Sequence, residues 1–241
     1  MKRFGERIRS LFHADILVIF VASLFLILFA VAEVWGASRG APITPLYRTS
    51  ILILICLLFY FGSLLNKQRT HSHRLLSGLF WLYFALYLYL LLNVTLLDAS
   101  LGRWTLLPSA EENLREYYME WYVNLKPFHS IYEIYIQGFI KGYVNEYYTL
   151  LNLLGNLCAF MPLAFFLPRF FKTQRRWYCL LPTVLLLICA VEGIQLLFMI
   201  GSCDIDDVIL NFGGVLILFG ILKIPPIRRL GERITTGSFV A

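Results

Sequence analysis

The side chains of this chain that could perform chemistry are acids and amides placed inside hydrophobic sequence near its C-terminal end. Within Val191–Gly214 they are Glu192, Gln195, Asp204, Asp206, Asp207 and Asn211. Carboxylates held close together can act as general acid and base, hold a metal ion, or bind a cationic ligand. Which of these roles the carboxylates can perform depends on the helices and loops that position Val191–Gly214.

The solvent around these residues follows from the composition. The chain has 59% hydrophobic and only 15% charged residues, too little polar surface to cover a soluble fold of 241 residues. Six apolar runs are long enough to cross about 30 Å of hydrocarbon, the sixth only if its first turn tolerates Asp206 and Asp207. We therefore expect an all-α, polytopic membrane helix bundle with six transmembrane helices. The runs are Ile16–Val34, Leu46–Leu65, Leu75–Leu97, Leu150–Phe171, Trp177–Ile200 and Ile205–Ile224.

The distribution of Lys and Arg predicts the orientation of the spans. Basic residues concentrate at the N-terminus, in the second and fourth connections and in the C-terminal tail, and they are sparse in the remaining connections. By the positive-inside rule, the basic segments are cytoplasmic, so both termini are expected to face the cytoplasm. Topology therefore explains the net charge of +6, and no nucleic-acid partner is expected.

The connection between the third and fourth spans, Asp98–Tyr148, is the one long insertion. Two Ser-x-x-Glu capping boxes, which begin at Ser109 and Ser130, predict short helices over Glu111–Tyr122 and Ser130–Gly142. Neither helix is long enough to span, and the abundant Tyr and Trp side chains are typical of a membrane interface. We expect short interfacial helices in this outer loop; in the alternative, some of the rings stack on a sugar or a lipid headgroup.

Polar side chains recur at helical spacing in each of the last three spans. Spacings of three and four residues place them on one face of each helix. At 1.5 Å of rise per residue from the outer end, Asn156, Glu192 and Asn211 lie at similar depths of roughly 9 to 12 Å. The stripes are Asn152 and Asn156 in the fourth span, Glu192 and Gln195 in the fifth, and Asp204, Asp207 and Asn211 in the sixth.

A carboxylate at this depth needs partners, because a charge in the hydrocarbon costs at least about 3 kcal/mol. Glu192 is therefore expected to face other protein or a water-filled pocket. The amide side chains of the fourth and sixth spans could donate hydrogen bonds to it. Gly213 and Gly214 would allow the helices to approach closely enough.

Several of these residues form motifs that resemble the VanZ-like family. In order, the motifs are Asn124-Leu-Lys-Pro127-Phe128, Asn152-x-x-Gly-Asn156-x-x-x-Phe-x-Pro162, Glu192-x-x-Gln195 and Asp204-Ile-Asp-Asp207-Val-Ile-x-Asn211-x-x-Gly214. The resemblance covers about Asn124–Gly220 and leaves the first three spans outside it. It implies a protein of the bacterial cytoplasmic membrane, in a family named for low-level resistance to the glycopeptide teicoplanin.

The resemblance also divides the chain and exposes one departure. Together with the apolar runs and the charge pattern, it predicts an N-terminal three-helix membrane segment (1–97), an extracytoplasmic interfacial insertion (98–149), and a C-terminal three-helix VanZ-like core with a cytoplasmic tail (150–241). Many relatives have an arginine between the Glu-x-x-Gln and aspartate motifs, whereas this chain has Phe-Met-Ile-Gly-Ser-Cys there. A pocket without that cation could bind a metal ion or a cationic ligand instead.

Three classes of function fit these residues. The first is a protein that binds or handles a lipid-linked wall precursor, or the lipid tail of a lipoglycopeptide, in an outer-leaflet pocket. The second is an intramembrane enzyme with Glu192 as general base and Asp207 or Asp204 assisting it or holding a metal. In the third, the stripes only hold helices together, as in a membrane scaffold. The predicted ligand-binding residues are Asn124, Asn152, Asn156, Glu192, Gln195, Asp204, Asp207 and Asn211.

The sequence favours binding over catalysis, because it contains no HExxH motif and no nucleophile elbow. Membrane lipids are expected partners in every case. The sequence identifies no cofactor or metal, and it leaves the oligomeric state open.

Overall fold

The computed structural model describes residues 14–38, 45–70, 74–97, 114–142 and 146–236, and these are almost entirely helical. Two π-helical turns (Asn93–Leu97 and Ile131–Gln137), a 3-10 turn (Lys172–Arg175) and the two-residue strands β1 (Val123–Asn124) and β2 (Cys203–Asp204) interrupt the helices. The helices are α1 (Ala14–Ser38), α2 (Pro45–Thr70), α3 (Arg74–Leu92), α4 (Leu114–Trp121), α5 (Gly138–Lys141), α6 (Glu146–Ala159), α7 (Leu163–Phe170), α8 (Trp177–Phe198), α9 (Ile205–Lys223) and α10 (Pro225–Thr236).

Six segments among the described residues are long and apolar enough to cross a membrane, which confirms the predicted all-α fold class. They are Asp15–Gly36, Tyr47–Gln68, Leu75–Leu97, Asn152–Phe170, Trp177–Phe198 and Ile205–Lys223. Large apolar side chains such as Phe20, Leu186 and Leu197 are well exposed on these segments. Hydrocarbon is the solvent that suits such surfaces, so the chain is a multi-pass membrane protein whose helices contact lipid.

The fourth span is built from two helices. Helix α6 ends at Ala159, a turn follows, and α7 begins at Leu163. Pro162 occupies the N-cap position of α7 with helical φ and ψ of −59° and −20°. Proline has no backbone N–H and therefore cannot continue a helix from the preceding turn, but it fits the start of a new one.

The chain forms two compact units, one of Met1–Leu90 with Arg228–Ala241 and one of Leu91–Ile227. In the first unit, α1 and α2 pack as an antiparallel pair that is joined by polar contacts near both ends. The Arg48 guanidinium contacts the Glu33 carboxylate at 2.8 and 3.2 Å, and Asn66 Nδ2 donates to Asp15 Oδ2 at 2.8 Å. The division into three regions inferred from the sequence stays a prediction.

In the second unit, the insertion pairs with the connection between α8 and α9. Strands β1 and β2 are parallel, with Val123 opposite Cys203 and Asn124 opposite Asp204. Short helices form at both predicted places, as α4 and as the π-helical turn that continues into α5. The predicted cap at Ser130 is wrong, because this side chain makes no capping hydrogen bond and donates to Asp204 instead. The other predicted box, at Ser109, lies outside the described residues.

Helices α6 and α9 approach each other most closely at Gly214. An added Cβ on Gly214 would lie 1.7 Å from the carbonyl oxygen of Leu157, whereas one on Gly213 would meet nothing within 4 Å. The sequence therefore predicted the close approach correctly, but it depends on Gly214 alone and not on both glycines. This approach brings the polar faces of α6 and α9 together.

Candidate functional site

Asp204 joins the start of α9 to the insertion. Its Oδ1 atom accepts the backbone N–H of Asp206 at 2.9 Å, which caps the helix. The same oxygen accepts Asn124 Nδ2 at 3.0 Å, and Oδ2 accepts the hydroxyl of Ser130. The Asn124 amide also donates to the Ser130 hydroxyl oxygen at 2.9 Å. Both predicted residues, Asn124 and Asp204, thus belong to one network that holds two loops together.

Asp206 is a residue of this region that the predicted ligand-binding set did not include. Its side chain is only 1% exposed, and its two carboxylate oxygens accept the backbone N–H groups of Phe128 at 2.5 Å and Ile131 at 3.0 Å. Phe128 adopts the left-handed conformation at φ 62°, which is unfavourable for a non-glycine residue. Because a charge-assisted hydrogen bond to Asp206 is formed in that conformation, Asp206 fixes the shape of the Asn124–Ser130 loop.

Asp207 connects the fourth and sixth spans. The Asn156 side-chain amide donates to Asp207 Oδ1, and both side chains are half-buried. The predicted stripes of these two helices therefore meet at this pair. Asn152, one turn from Asn156 on the same helix, is exposed. The predicted hydrogen bonds from amide side chains to Glu192 stay predictions.

Glu192 and Gln195 lie buried on one face of α8, with 8% and 2% of each residue exposed. Gln195 Nε2 donates to the backbone oxygen of Thr95 at 2.7 Å, and the Tyr118 hydroxyl donates to the backbone oxygen of Gln195 at 3.3 Å. The π-helical turn at the end of the third span and helix α4 of the insertion therefore cover this face. Sequence reasoning missed Thr95 because it assigned no role in the site to the third span.

Two side-chain amide oxygens in this region are buried and accept no hydrogen bond from any described residue. They are Oε1 of Gln195 and Oδ1 of Asn211, whose residue is 4% exposed. A buried amide oxygen without a hydrogen-bond donor lowers the free energy of unfolding by about 1–3 kcal/mol relative to one with a donor. Gln195 lies three residues after Glu192, and Asn211 four residues after Asp207, so each acceptor shares a helix face with a carboxylate.

The pKa of the Cys203 thiol is raised by burial and by nearby acids. Burial, followed by the negative charges of Glu192, Asp204 and Asp207, raises the pKa of this thiol to about 11 from its usual 9.0. Three carboxylates from two helices and their connection are therefore close enough to act on one sulfur atom. With this pKa the thiol is protonated near neutral pH, which is the opposite of what a cysteine nucleophile needs.

The sequence around these acids contains no basic residue. No Lys, Arg or His occurs between Lys141 and Arg169 or between Arg176 and Lys223, so α6, α8 and α9 supply no cation at membrane depth. Among the described residues, no group of three His, Cys, Asp or Glu side chains is placed to hold a metal ion. The donor set is therefore one of carboxylate and amide oxygens from separate helices.

Comparison with known proteins identifies one family. Residues 84–226 match the VanZ/LLP1 family, a stretch that includes every residue of the site described above. The match begins inside the third span, so it extends further towards the N-terminus than the motifs alone, which begin at Asn124. No curated protein and no solved structure matches the chain.

Proposed function

The chain belongs to the VanZ/LLP1 family, and from that premise we propose that it binds an amphiphilic ligand of the bacterial cell envelope. The proposed binding group is the cluster of Glu192, Gln195, Asp207 and Asn211 at the insertion end of α8 and α9. The ligand is the polar part of a lipid-linked wall precursor or of a lipoglycopeptide. Binding of this kind would contribute to resistance against teicoplanin-type glycopeptides.

The observation that supports this proposal is the pair of buried acceptors, Gln195 Oε1 and Asn211 Oδ1. Side chains that only hold helices together gain most when each buried acceptor receives a donor from the protein. Here the donors of the described residues go elsewhere, since Asn156 donates to Asp207 and Asn124 to Asp204. A ligand with hydroxyl or amine donors would supply the missing hydrogen bonds in a medium that contains little water.

Binding explains these residues better than catalysis. The protonated thiol of Cys203 offers no nucleophile, and Asp204 and Asp206 are occupied by hydrogen bonds to the insertion. Glu192 and Asp207 each share a helix face with one of the two buried amide acceptors, so we assign them to binding the polar group.

We further propose that the protein resides in the cytoplasmic membrane with both termini in the cytoplasm. The alternation of basic and weakly basic connections supports this orientation. The ligand site, at the insertion end of the helices, would then open towards the outer leaflet. Reporter fusions at Leu107 and Gly237 test it, and a cytoplasmic signal at Leu107 contradicts it.

The proposed function is tested by separating ligand binding from stability at Asn211. Replacing Asn211 by Leu keeps the number and branching of the side-chain heavy atoms and removes the buried acceptor, so the melting temperature should be unchanged or higher. Teicoplanin resistance should nevertheless be lost at normal abundance in the membrane. Glu192→Gln should also abolish resistance, because it removes the charge but keeps the shape.

The matched control is Glu116→Gln, which removes the same charge from an exposed position on α4. It should leave both resistance and melting temperature unchanged. If Asn211→Leu lowers the melting temperature while resistance is retained, the side chain holds helices together and the binding proposal is wrong.

A further inference from the structure

The last helix, α10, has two chemically distinct faces. It follows α9 after Ile224, whose extended backbone (φ −64°, ψ 123°) ends the sixth span, and it begins at Pro225. Ile227, Leu230 and Ile234 recur at three- and four-residue spacing and form an apolar stripe. The opposite side consists of Arg228, Arg229, Glu232 and Arg233.

The cationic side of α10 is not covered by other described residues and is exposed. Arg228 and Arg229 are exposed, as is Arg233. The single acid on this side, Glu232, lies 3.7 Å from Arg228, and the two side chains are 67% and 66% exposed. An ion pair this exposed contributes little and is easily replaced by another partner. The surface therefore keeps a net positive charge.

Two hydrogen bonds fix the C-terminal end of α10 against α2. The Tyr60 hydroxyl donates to the backbone oxygen of Ile234 at 3.1 Å, and Lys67 Nζ donates to the backbone oxygen of Thr236 at 2.8 Å. Lys67 is almost the last residue of the span Tyr47–Gln68, so it marks where the hydrocarbon ends. The end of α10 therefore lies at the membrane surface and not in bulk solvent.

We infer that α10 lies in the plane of the membrane interface and binds anionic phospholipid headgroups through Arg228, Arg229 and Arg233. An amphipathic helix at this depth buries its apolar stripe among acyl chains and directs its cations to the headgroup layer. Guanidinium groups bind phosphate oxygens through paired N–H donors. The proposal is independent of the ligand site, because it concerns a different surface and a different partner.

The test uses the full chain purified in detergent and supplied with dioleoyl phosphatidylglycerol, or with dioleoyl phosphatidylcholine as the neutral lipid. Three variants are compared with the wild type. In the first, Arg228, Arg229 and Arg233 are replaced by Gln, and in the second the same three by Lys. The third is a matched control in which the exposed Lys172, Arg175 and Arg176 of the connection before α8 become Gln.

Phosphatidylglycerol should raise the wild-type melting temperature more than phosphatidylcholine does, and several-fold more of it should be retained per protein in native mass spectrometry. The Gln variant of α10 should lose both effects, while the Lys variant keeps most of them because the charge remains. The control should also keep them. Equal retention by the Gln variant overturns the proposal, and so does an equal loss in the control, which would mark a response to net charge alone. The amount of phosphatidylglycerol retained per protein tests the proposal even if the Gln variant melts at a lower temperature.

Discussion

Replacing Gly214 by Ala tests whether close contact between α6 and α9 assembles the site. The added Cβ would lie 1.7 Å from the carbonyl oxygen of Leu157, 2.8 Å from its carbonyl carbon and 3.2 Å from Met161 Cγ. The nearest two atoms are backbone, so no rotation of a side chain can relieve the overlap. The two helices must separate locally by more than an ångström.

The expected loss of stability has two parts. Overpacking at a helix contact costs roughly 1–3 kcal/mol. Separation also lengthens the hydrogen bond from Asn156, the residue next to Leu157, to Asp207, and a hydrogen bond to a charged group contributes about 1.5–3 kcal/mol. We therefore expect the free energy of unfolding to fall by about 2.5–6 kcal/mol, with loss of the proposed teicoplanin resistance.

Gly213→Ala is the matched control, since the same methyl group is added one residue away. A Cβ there meets nothing within 4 Å, and alanine is favoured over glycine in a helix by about 0.8–1.0 kcal/mol. Gly213→Ala should leave the melting temperature in detergent unchanged or slightly higher and should preserve the proposed resistance. If the two variants melt alike, the contact between α6 and α9 does not hold the site together and the reasoning fails.

Two further predictions concern other ionisable groups. Glu33→Ala should lower the free energy of unfolding by about 3 kcal/mol or more, because Arg48 stays buried but loses the carboxylate beside it. As a control, Glu116→Ala at an exposed position should change the free energy of unfolding by less than about 0.5 kcal/mol. Similar melting temperatures for the two variants would contradict this prediction. The Cys203 thiol should resist alkylation near neutral pH and react increasingly as pH approaches 11, as followed by mass spectrometry, because its pKa is about 11. Unfolded thiols lose their protons first, near pH 9.0, so the stability that this group contributes is lost between those two values; fast alkylation of the folded protein near neutral pH would refute the assignment.

The spans could be predicted from the sequence because the length of an apolar run and the thickness of hydrocarbon are both fixed quantities. Helical spacing also placed Asn156 and Asp207 on the faces of α6 and α9 that meet. Spacing alone does not identify partners, however. It gave Glu192 as the expected acceptor for the amides, whereas the contact found for Asn156 is with Asp207.

The contacts that involve irregular backbone could not be predicted from the sequence. Ser130 begins a pattern typical of a capping box, yet its hydroxyl donates to Asp204, from a segment more than seventy residues away. Asp206 accepts two backbone N–H groups from a loop, and no side-chain pattern records such a bond. The signal available for Asp206 was its place in an aspartate-rich first turn of an otherwise apolar helix.

The backbone between α8 and α9 explains why the insertion and the site belong together. Helix α8 ends at Phe198, Met199 is left-handed at φ 52°, and the chain then reverses into β2. Irregular backbone near hydrocarbon is tolerated only where protein satisfies its polar groups. The insertion does so, because the Cys203 N–H donates to the backbone oxygen of Tyr122 at 2.9 Å and β1 pairs with β2.

This arrangement divides the acidic residues by task. Asp204 and Asp206 hold the insertion in place through hydrogen bonds to its side chains and backbone. Glu192 lies further along the buried face of α8, in the region where the acceptors of Gln195 and Asn211 receive no hydrogen bond from the part of the chain that the structure describes. Contacts between helices account for Asp207, which accepts from Asn156, and for the Nε2 atom of Gln195, but they give no role to the two buried amide oxygens. These two acceptors therefore support the proposed binding site beside the insertion.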